Sequence, residues 1–207
     1  MLYLASQSPR RQSILKDLGV QFELLLPTRD EDAESLELVI PQESSLDYVR
    51  RVTLAKLEAA VVRLKKRQLP WYPILCADTT VSIQLLGQDL ILGKPNDDAH
   101  ALDILKQLNH QCHQVHTAIA VQINPETPPE ILVSTSNVYF ANNSLEKLQA
   151  YISTKEPMGK AGAYAIQGIG SSLIQKIEGS HSSIMGLPVY ETCLLLDKAS
   201  IPYILYL

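Results

Sequence analysis

The chain has 207 residues, 46% of them apolar, which is enough to bury a core in one domain or two small lobes and excludes disorder as its default state. Its 18 basic and 22 acidic residues leave a net charge of −4, so no global positive field recruits nucleic acid or an anionic membrane, and any phosphate site must be local. Cys76, Cys112 and Cys193 are odd in number, widely separated and without a CxxC pair, which argues against a disulfide framework and for a reducing compartment.

In chain order, residues 3–5 form a short apolar run with its charges after it, the reverse of a secretory leader, and no run approaches transmembrane length. A soluble cytoplasmic protein is expected. That first run predicts a buried strand. Ser8-Pro9 supplies an N-cap and a first-turn proline for a helix to about Leu18, where Gly19 stops it. Residues 22–26 predict a second strand and residues 28–37 an acidic loop. Ser44 with Asp47 resembles a capping box for a longer helix, in which Val52, Ala55, Ala59 and Val62 keep helical spacing. Lys65, Lys66 and Arg67 suit its C-terminus, and Pro70 ends it.

The apolar run 73–77 predicts a central strand that delivers Asp78 to its carboxyl end, where open α/β sheets place their sites. Residues 81–92 suggest a hairpin around Gly87-Gln88-Asp89, and Gly93-Lys94-Pro95 forms a loop before a helix over 97–108. Strands follow at 115–121 and 131–140, an antiparallel pair about a Pro-rich turn at 124–129. A helix carries Leu145, Leu148 and Ile152, residues 156–170 are rich in glycine and alanine, 173–177 predict a strand, and 187–198 a last helix. The pattern predicts an α/β fold with a mixed, largely open twisted sheet flanked by helices. One domain over 1–207, with two lobes around a central cleft, is expected.

Several residues carry candidate chemistry. Arg10 and Arg11 stand in the first turn of a helix, where the macrodipole disfavours cations, so an anion is expected nearby. With the Ser6 and Ser8 hydroxyls and the exposed backbone N–H groups they could hold a phosphate. A solvated pair, or a salt bridge to the loop around Glu31, fits the local sequence equally well. Asp78 follows Ile74-Leu75-Cys76-Ala77, so its carboxylate needs a partner such as Mg²⁺ or a lysine. Asp30, Glu31 and Asp32 are on composition an exposed loop. Lys56 lies within the long helix, where a lysine is usually solvated, and the flanking Ala55, Ala59 and Ala60 do not decide its role. Lys94 sits in a rigid loop where it can act as a point charge on a phosphate, although no Walker pattern is present.

The segment from Lys160 to Gly170 has too many small residues for a helix interior and reads as a loop of close backbone approach. Its Gln167 amide offers an acceptor and two donors, which suits a pyrimidine edge, although on local sequence a glutamine satisfying loop backbone groups is the favoured reading. His110, Cys112, His113 and His116 crowd together, but His113 and His116 would project to opposite faces of a strand, which argues against a metal.

Leu4-Ala5-Ser6-Gln7-Ser8-Pro9-Arg10-Arg11, Ala77-Asp78-Thr79, Gly93-Lys94-Pro95, Lys160-Ala161-Gly162-Ala163-Tyr164 with Ile166-Gln167-Gly168, and Met185-Gly186-Leu187-Pro188 together resemble the Maf family of nucleotide pyrophosphatases. The resemblance spans nearly the whole chain. It implies a Maf/ITPase-like fold and hydrolysis of a nucleoside triphosphate to the monophosphate and pyrophosphate with a divalent cation, Mg²⁺ or Mn²⁺. It implies Asp78 as catalytic base and metal ligand, Glu31 as a second metal ligand by its spacing from the first strand and helix, and Lys56 and Lys94 as the lysines on the triphosphate. Ser8, Arg10, Arg11, Thr79, Lys160 and Gln167 fall to substrate binding, with Arg10, Thr79 and Gln167 bearing on substrate choice. The Tyr-Ala-Ile-Gln form of the fourth motif looks like the branch that prefers dTTP and UTP over methylated GTP. Gly159 and Ala165 depart from that pattern, where an acidic residue and a glycine are usual.

The implied partner is the nucleotide, with neither stable nucleic acid nor membrane, and a homodimer is left open. Two rivals are a nucleotide-sensing regulator of cell division without turnover and an RNA-binding module built on Arg10, Arg11 and the 65–67 run. The acidic balance and the missing aromatic platform speak against the second.

Overall fold

Local signals set most element boundaries in the computed structural model, which describes residues 1–28, 30–32 and 35–206. Arg29, Ala33 and Glu34 of the expected acidic loop lie outside the described residues. Strand β1 (Leu2–Leu4) leads into helix α1 (Pro9–Asp17), capped by the Ser8 side chain and stopped at Gly19, whose φ of 73° suits a residue without Cβ. Strand β2 (Phe22–Leu24) follows, then a short 3-10 turn at Ser35–Glu37 and helix α2 (Ser45–Lys66). The Ser44 hydroxyl caps α2 by accepting from the Asp47 N–H (3.1 Å) and donating to the Asp47 carboxylate (2.7 Å).

The buried side of α2 is Val49, Val52, Thr53, Leu57, Ala60 and Leu64, a helical stripe in which only Val52 belongs to the expected face. Val62 is 59% exposed, because the stripe that packs against the core lies to one side of the one suggested by Val52, Ala55, Ala59 and Val62.

Strand β3 (Ile74–Leu85) is twelve residues long and turns at Leu86-Gly87, both with positive φ, into β4 (Gln88–Leu92). Asp78 therefore sits inside a strand. The expected stop after Ala77 is overridden because Thr79 and Thr80 are β-branched and the ladder continues through them to the hairpin. Helix α3 (Asp98–Leu108), capped by Asp97, precedes β5 (Cys112–Gln122) and β6 (Glu130–Phe140). Helix α4 (Leu145–Ser153), strand β7 (Ile174–Glu178), a helical turn α5 (His181–Ile184) that sequence patterning did not indicate, and α6 (Val189–Lys198) complete the order.

The strands form a seven-stranded mixed sheet in the order β2-β1-β3-β5-β6-β7, with β4 paired to β3. Parallel pairs β1–β2 and β1–β3 come with antiparallel β3–β4 and β6–β7, which gives the mixed α/β class expected from the alternation of elements. Two compact units share the chain: Met1–Asp78, Thr117–Ser134 and Gly186–Leu207 form the first, Thr79–His116 and Thr135–Met185 the second. In the first unit Leu57, Ala60 and Leu64 of α2 pack on Tyr3, Ile74, Cys76 and Ala120. In the second, Ile104, Leu105 and Leu108 of α3 and Leu148, Tyr151 and Ile152 of α4 pack on Val81, Ile83, Val115, Val138 and Phe140.

Candidate active site

The first unit builds its polar centre on the turn between β1 and α1. Ser6, nearly buried, accepts from the Ser8 N–H (3.2 Å) and from Arg11 Nη1 (3.0 Å), while Ser8 accepts from the Arg11 N–H at 3.5 Å. Arg11 Nε donates to the Gly186 carbonyl at 2.7 Å. Met185-Gly186-Leu187-Pro188 thus acquires a local task, since its glycine, at φ 108°, offers a carbonyl that orients the guanidinium. Burial pushes Arg11 below its ordinary value, and Asp78 and Cys76 counter that in part. Arg10, one residue earlier, is exposed.

Asp78, 9% exposed, meets Lys56 of α2, whose Nζ lies 2.6 Å from Asp78 Oδ1 and 2.7 Å from Glu37 Oε1. Burial works against the charge on Lys56, yet Asp78 and Glu37 outweigh it and hold the ammonium above its ordinary value. Lys56 is therefore charged at neutral pH, and the expected lysine partner for Asp78 is present. Glu37 is the functional candidate that sequence reasoning missed. It closes the 3-10 turn, and its place depends on distant clips: the Tyr48 hydroxyl donates to the Glu37 carbonyl (2.8 Å), and Arg51 donates to the Leu38 carbonyl (2.9 Å) while forking onto Glu43. Burial, with Asp78 and Glu37 nearby, pushes the Tyr48 phenol up to about 12, so it stays a neutral donor.

Glu31 lies elsewhere in the hydrogen-bond pattern. Its two oxygens take Arg63 Nε at 3.0 and 2.9 Å and Nη2 at 2.7 Å, and Thr28 adds its N–H at 3.2 Å. Arg63, only 6% exposed, also donates to the Leu25 carbonyl (2.9 Å), so Glu31 neutralises a buried cation. Hydrogen bonds from Arg63, against the opposing effect of burial, lower the Glu31 carboxyl to about 2. Arg67 reaches the Leu26 carbonyl at 2.7 Å, so part of the basic run at the end of α2 folds back on β2's exit instead of facing a ligand.

In the second unit the third and fourth motifs meet. The Gly162 N–H donates to the Gly93 carbonyl (3.1 Å), which joins the Lys94 loop to the glycine-rich segment. A Cβ on Gly162 would lie 2.9 Å from Val81 Cγ1, at a φ of 71°. Gly162→Ala is expected to destabilise the protein by about 1–3 kcal/mol, read as a lower midpoint in urea; an unchanged midpoint would remove the steric reading of this glycine. Lys94 and Gln167 are exposed, Thr79 is half-buried, and Lys160 Nζ donates to the Glu156 carbonyl. Tyr164 of the fourth motif is buried with its hydroxyl 2.8 Å from His113 Nε2. Burial lowers His113 to about 3, so the pair is a neutral core contact. His116 instead meets the Thr135 hydroxyl at 2.9 Å, so the two histidines serve separate polar contacts.

With this geometry in hand, the sequence places the chain in a class of proteins. The family model for "Maf-like protein" matches residues 1–199, and the chain belongs to that family. Proteins named "dTTP/UTP pyrophosphatase" are similar to it over nearly their whole length. The one from Albidiferax ferrireducens is 50% identical over 197 residues, covering 95% of this chain and 96% of that protein. The one from Burkholderia orbicola is 52% identical over 204 residues, covering 98% and 95%. Among solved structures, the Staphylococcus aureus Ham1 protein matches with a TM-score of 0.46 and 14% identity, over 84% of this chain and 79% of that one. Among the described residues no helix is long and apolar enough to cross a membrane.

Proposed function

We propose that this chain hydrolyses dTTP and UTP to the monophosphate and pyrophosphate with the help of a divalent cation. The observation that carries the reading is the nearly buried Asp78 carboxylate held against a charged lysine, in a Maf-family chain about half identical to proteins named for this activity.

Asp78 and Glu37 already converge on one cation, the Lys56 ammonium, and both present only oxygen ligands. Among the described residues no group of three or more His, Cys, Asp and Glu converges on a common point. A site of one or two carboxylates completed by substrate phosphates is the usual arrangement for Mg²⁺, so the residues fit. Asp78 would hold the ion with Glu37 beside it, whereas Glu31 would first have to release Arg63. When bound, the cation supplies charge neutralisation on the phosphates and acidifies water.

Asp78 orients the attacking water and takes its proton as the oxygen bonds to the α-phosphorus and the bridging oxygen leaves with pyrophosphate. Lys56, freed from one carboxylate, offsets phosphate charge. Ser8, Arg10 and Arg11 bind phosphate oxygens at the start of α1, and in the second unit Lys94 and Lys160 contribute positive charge while Thr79 and Gln167 bear on base choice.

Pyrophosphate release measured over the common triphosphates and methylated GTP, with Mg²⁺ or Mn²⁺, tests the reading. Fastest release from dTTP and UTP is expected. Nucleotide binding without release would leave a sensing protein, and preference for methylated GTP would move the chain to another branch.

Gln167→Ala is expected to lower kcat/KM for UTP and dTTP by about tenfold or more and to flatten base preference, since bidentate edge contacts discriminate by about 1–3 kcal/mol. Unaltered relative rates among bases would remove Gln167 from recognition.

A further inference from the structure

We propose that Glu156 is a positioning residue for base selection, its carboxylate holding the 165–170 loop so that Gln167 meets the base in one place. The inference rests on the reading of Gln167 above and names the group through which that reading works.

Glu156 follows α4 and is half-buried. Its Oε1 accepts from the Gly170 N–H (2.8 Å) and the Tyr151 hydroxyl (3.1 Å), and its Oε2 from the Ile169 N–H (3.0 Å). The same Tyr151 hydroxyl accepts from the Ala165 N–H at 3.2 Å. Both ends of the loop are thereby fastened to one point, the end of α4, where Tyr151 is 3% exposed and set in the core. Ile166, Gln167 and Gly168 span the interval.

Three further features show that the loop is shaped around this carboxylate. Gly168 has a φ of 83°, and a Cβ there would lie 2.6 Å from Glu156 Oε2. A Cβ on Gly170 would lie 2.6 Å from both the Ala165 carbonyl and the Tyr151 hydroxyl. Burial opposes charge on Glu156, but the Gly170 and Ile169 amides outweigh it and hold the carboxyl below its ordinary value, so it is an anion accepting from backbone donors.

Gln167 itself is exposed, and among the described residues its side chain makes no hydrogen bond. Its amide is placed by the backbone alone, which is why the fastening matters. A bidentate contact to a base edge needs both amide atoms within a few tenths of an ångström of their places, and a side chain on a loose loop meets that need only after the loop is ordered. Glu156 thereby performs in advance the ordering that binding would otherwise have to perform. Its backbone carbonyl also receives Lys160, so the substrate-binding lysine of the same motif is held from the same residue.

Steady-state kinetics of the full chain with UTP, dTTP and CTP test this in Glu156→Gln, Tyr151→Phe, Gln167→Ala and the Glu156→Gln/Gln167→Ala pair. Glu156→Gln keeps the size of the side chain but turns one acceptor into a donor facing a backbone N–H. Its KM for UTP and dTTP is expected to rise about tenfold with kcat within about twofold, and the preference for these bases over CTP to shrink by the same factor. In the Gln167→Ala background the same substitution is expected to leave base preference unchanged, because the group it positions is gone.

A merely structural role would lower the rate with every base alike and would do so in both backgrounds, and that result overturns the proposal. Tyr151→Phe removes the other fastening at little cost in volume and gives the same test where Glu156→Gln does not fold. Wild-type preference for dTTP and UTP with undiminished selectivity in Glu156→Gln and Tyr151→Phe defeats the positioning role alone. Absence of wild-type turnover of these nucleotides defeats the functional reading and the inference with it.

Discussion

Asp78→Asn is expected to slow pyrophosphate release from dTTP by about 10² to 10⁴-fold while the protein stays folded. The substitution keeps the shape of the side chain and removes its charge and its ability to take a proton. Lys56 retains Glu37 at 2.7 Å, so the ammonium is not stranded, and the asparagine carbonyl can still accept from Nζ at the place of Oδ1. The loss should therefore appear in kcat, with a melting temperature close to that of the wild type. Two measurements check it: turnover at saturating dTTP with Mg²⁺, and a thermal melt of the same preparation. Near wild-type turnover would remove Asp78 from the chemistry. A collapse of the melting temperature would mean that Asp78 acts through the fold.

The same contacts show which parts of the site can be read from sequence. Ser8 and Ser44 announce helix starts because a cap acts within three residues, and both accept the expected backbone N–H. The hairpin is similarly local in its glycine, although it turns at Leu86-Gly87, and Gln88 and Asp89, expected in the turn, begin β4. The continuity of β3 is not local, since Asp78-Thr79-Thr80 interrupts the apolar run by which a buried strand is recognised, and pairing with the neighbouring strands β1, β5 and β4 carries the strand through. Lys56 is undecided by its alanine neighbours because its partners are 19 and 22 residues away. Glu37 carries no local signal at all. It reaches Lys56 through a loop clipped by Tyr48 and Arg51, a product of tertiary contacts. The fifth motif illustrates the converse, since Met185-Gly186-Leu187-Pro188 is visible as a pattern, yet its hold on Arg11 becomes apparent only when residues 175 positions apart are brought together.

Glu31→Gln separates two roles that sequence and structure assign to one residue. The resemblance places Glu31 on the metal, whereas its oxygens are taken by Arg63. Removing the charge leaves a nearly buried guanidinium with the Leu25 carbonyl and one amide oxygen. Loss of one partner of a buried pair costs about 3–5 kcal/mol; because the Glu31 side chain is 30% exposed, solvent reduces this to about 1–3 kcal/mol. The melting temperature at pH 7 should fall by about 3–10 °C.

The pH dependence has a definite sign. Glu31 is held at about 2 in the folded chain against 4.5 ordinarily, so its contribution is complete above pH 4.5 and is lost as pH falls toward 2. The difference in melting temperature between wild type and Glu31→Gln should narrow across that window. If instead the variant melts like the wild type at every pH but no longer responds to Mg²⁺ or Mn²⁺ in turnover, Glu31 leaves Arg63 to serve the cation, and the pair seen here is the resting arrangement of a metal ligand.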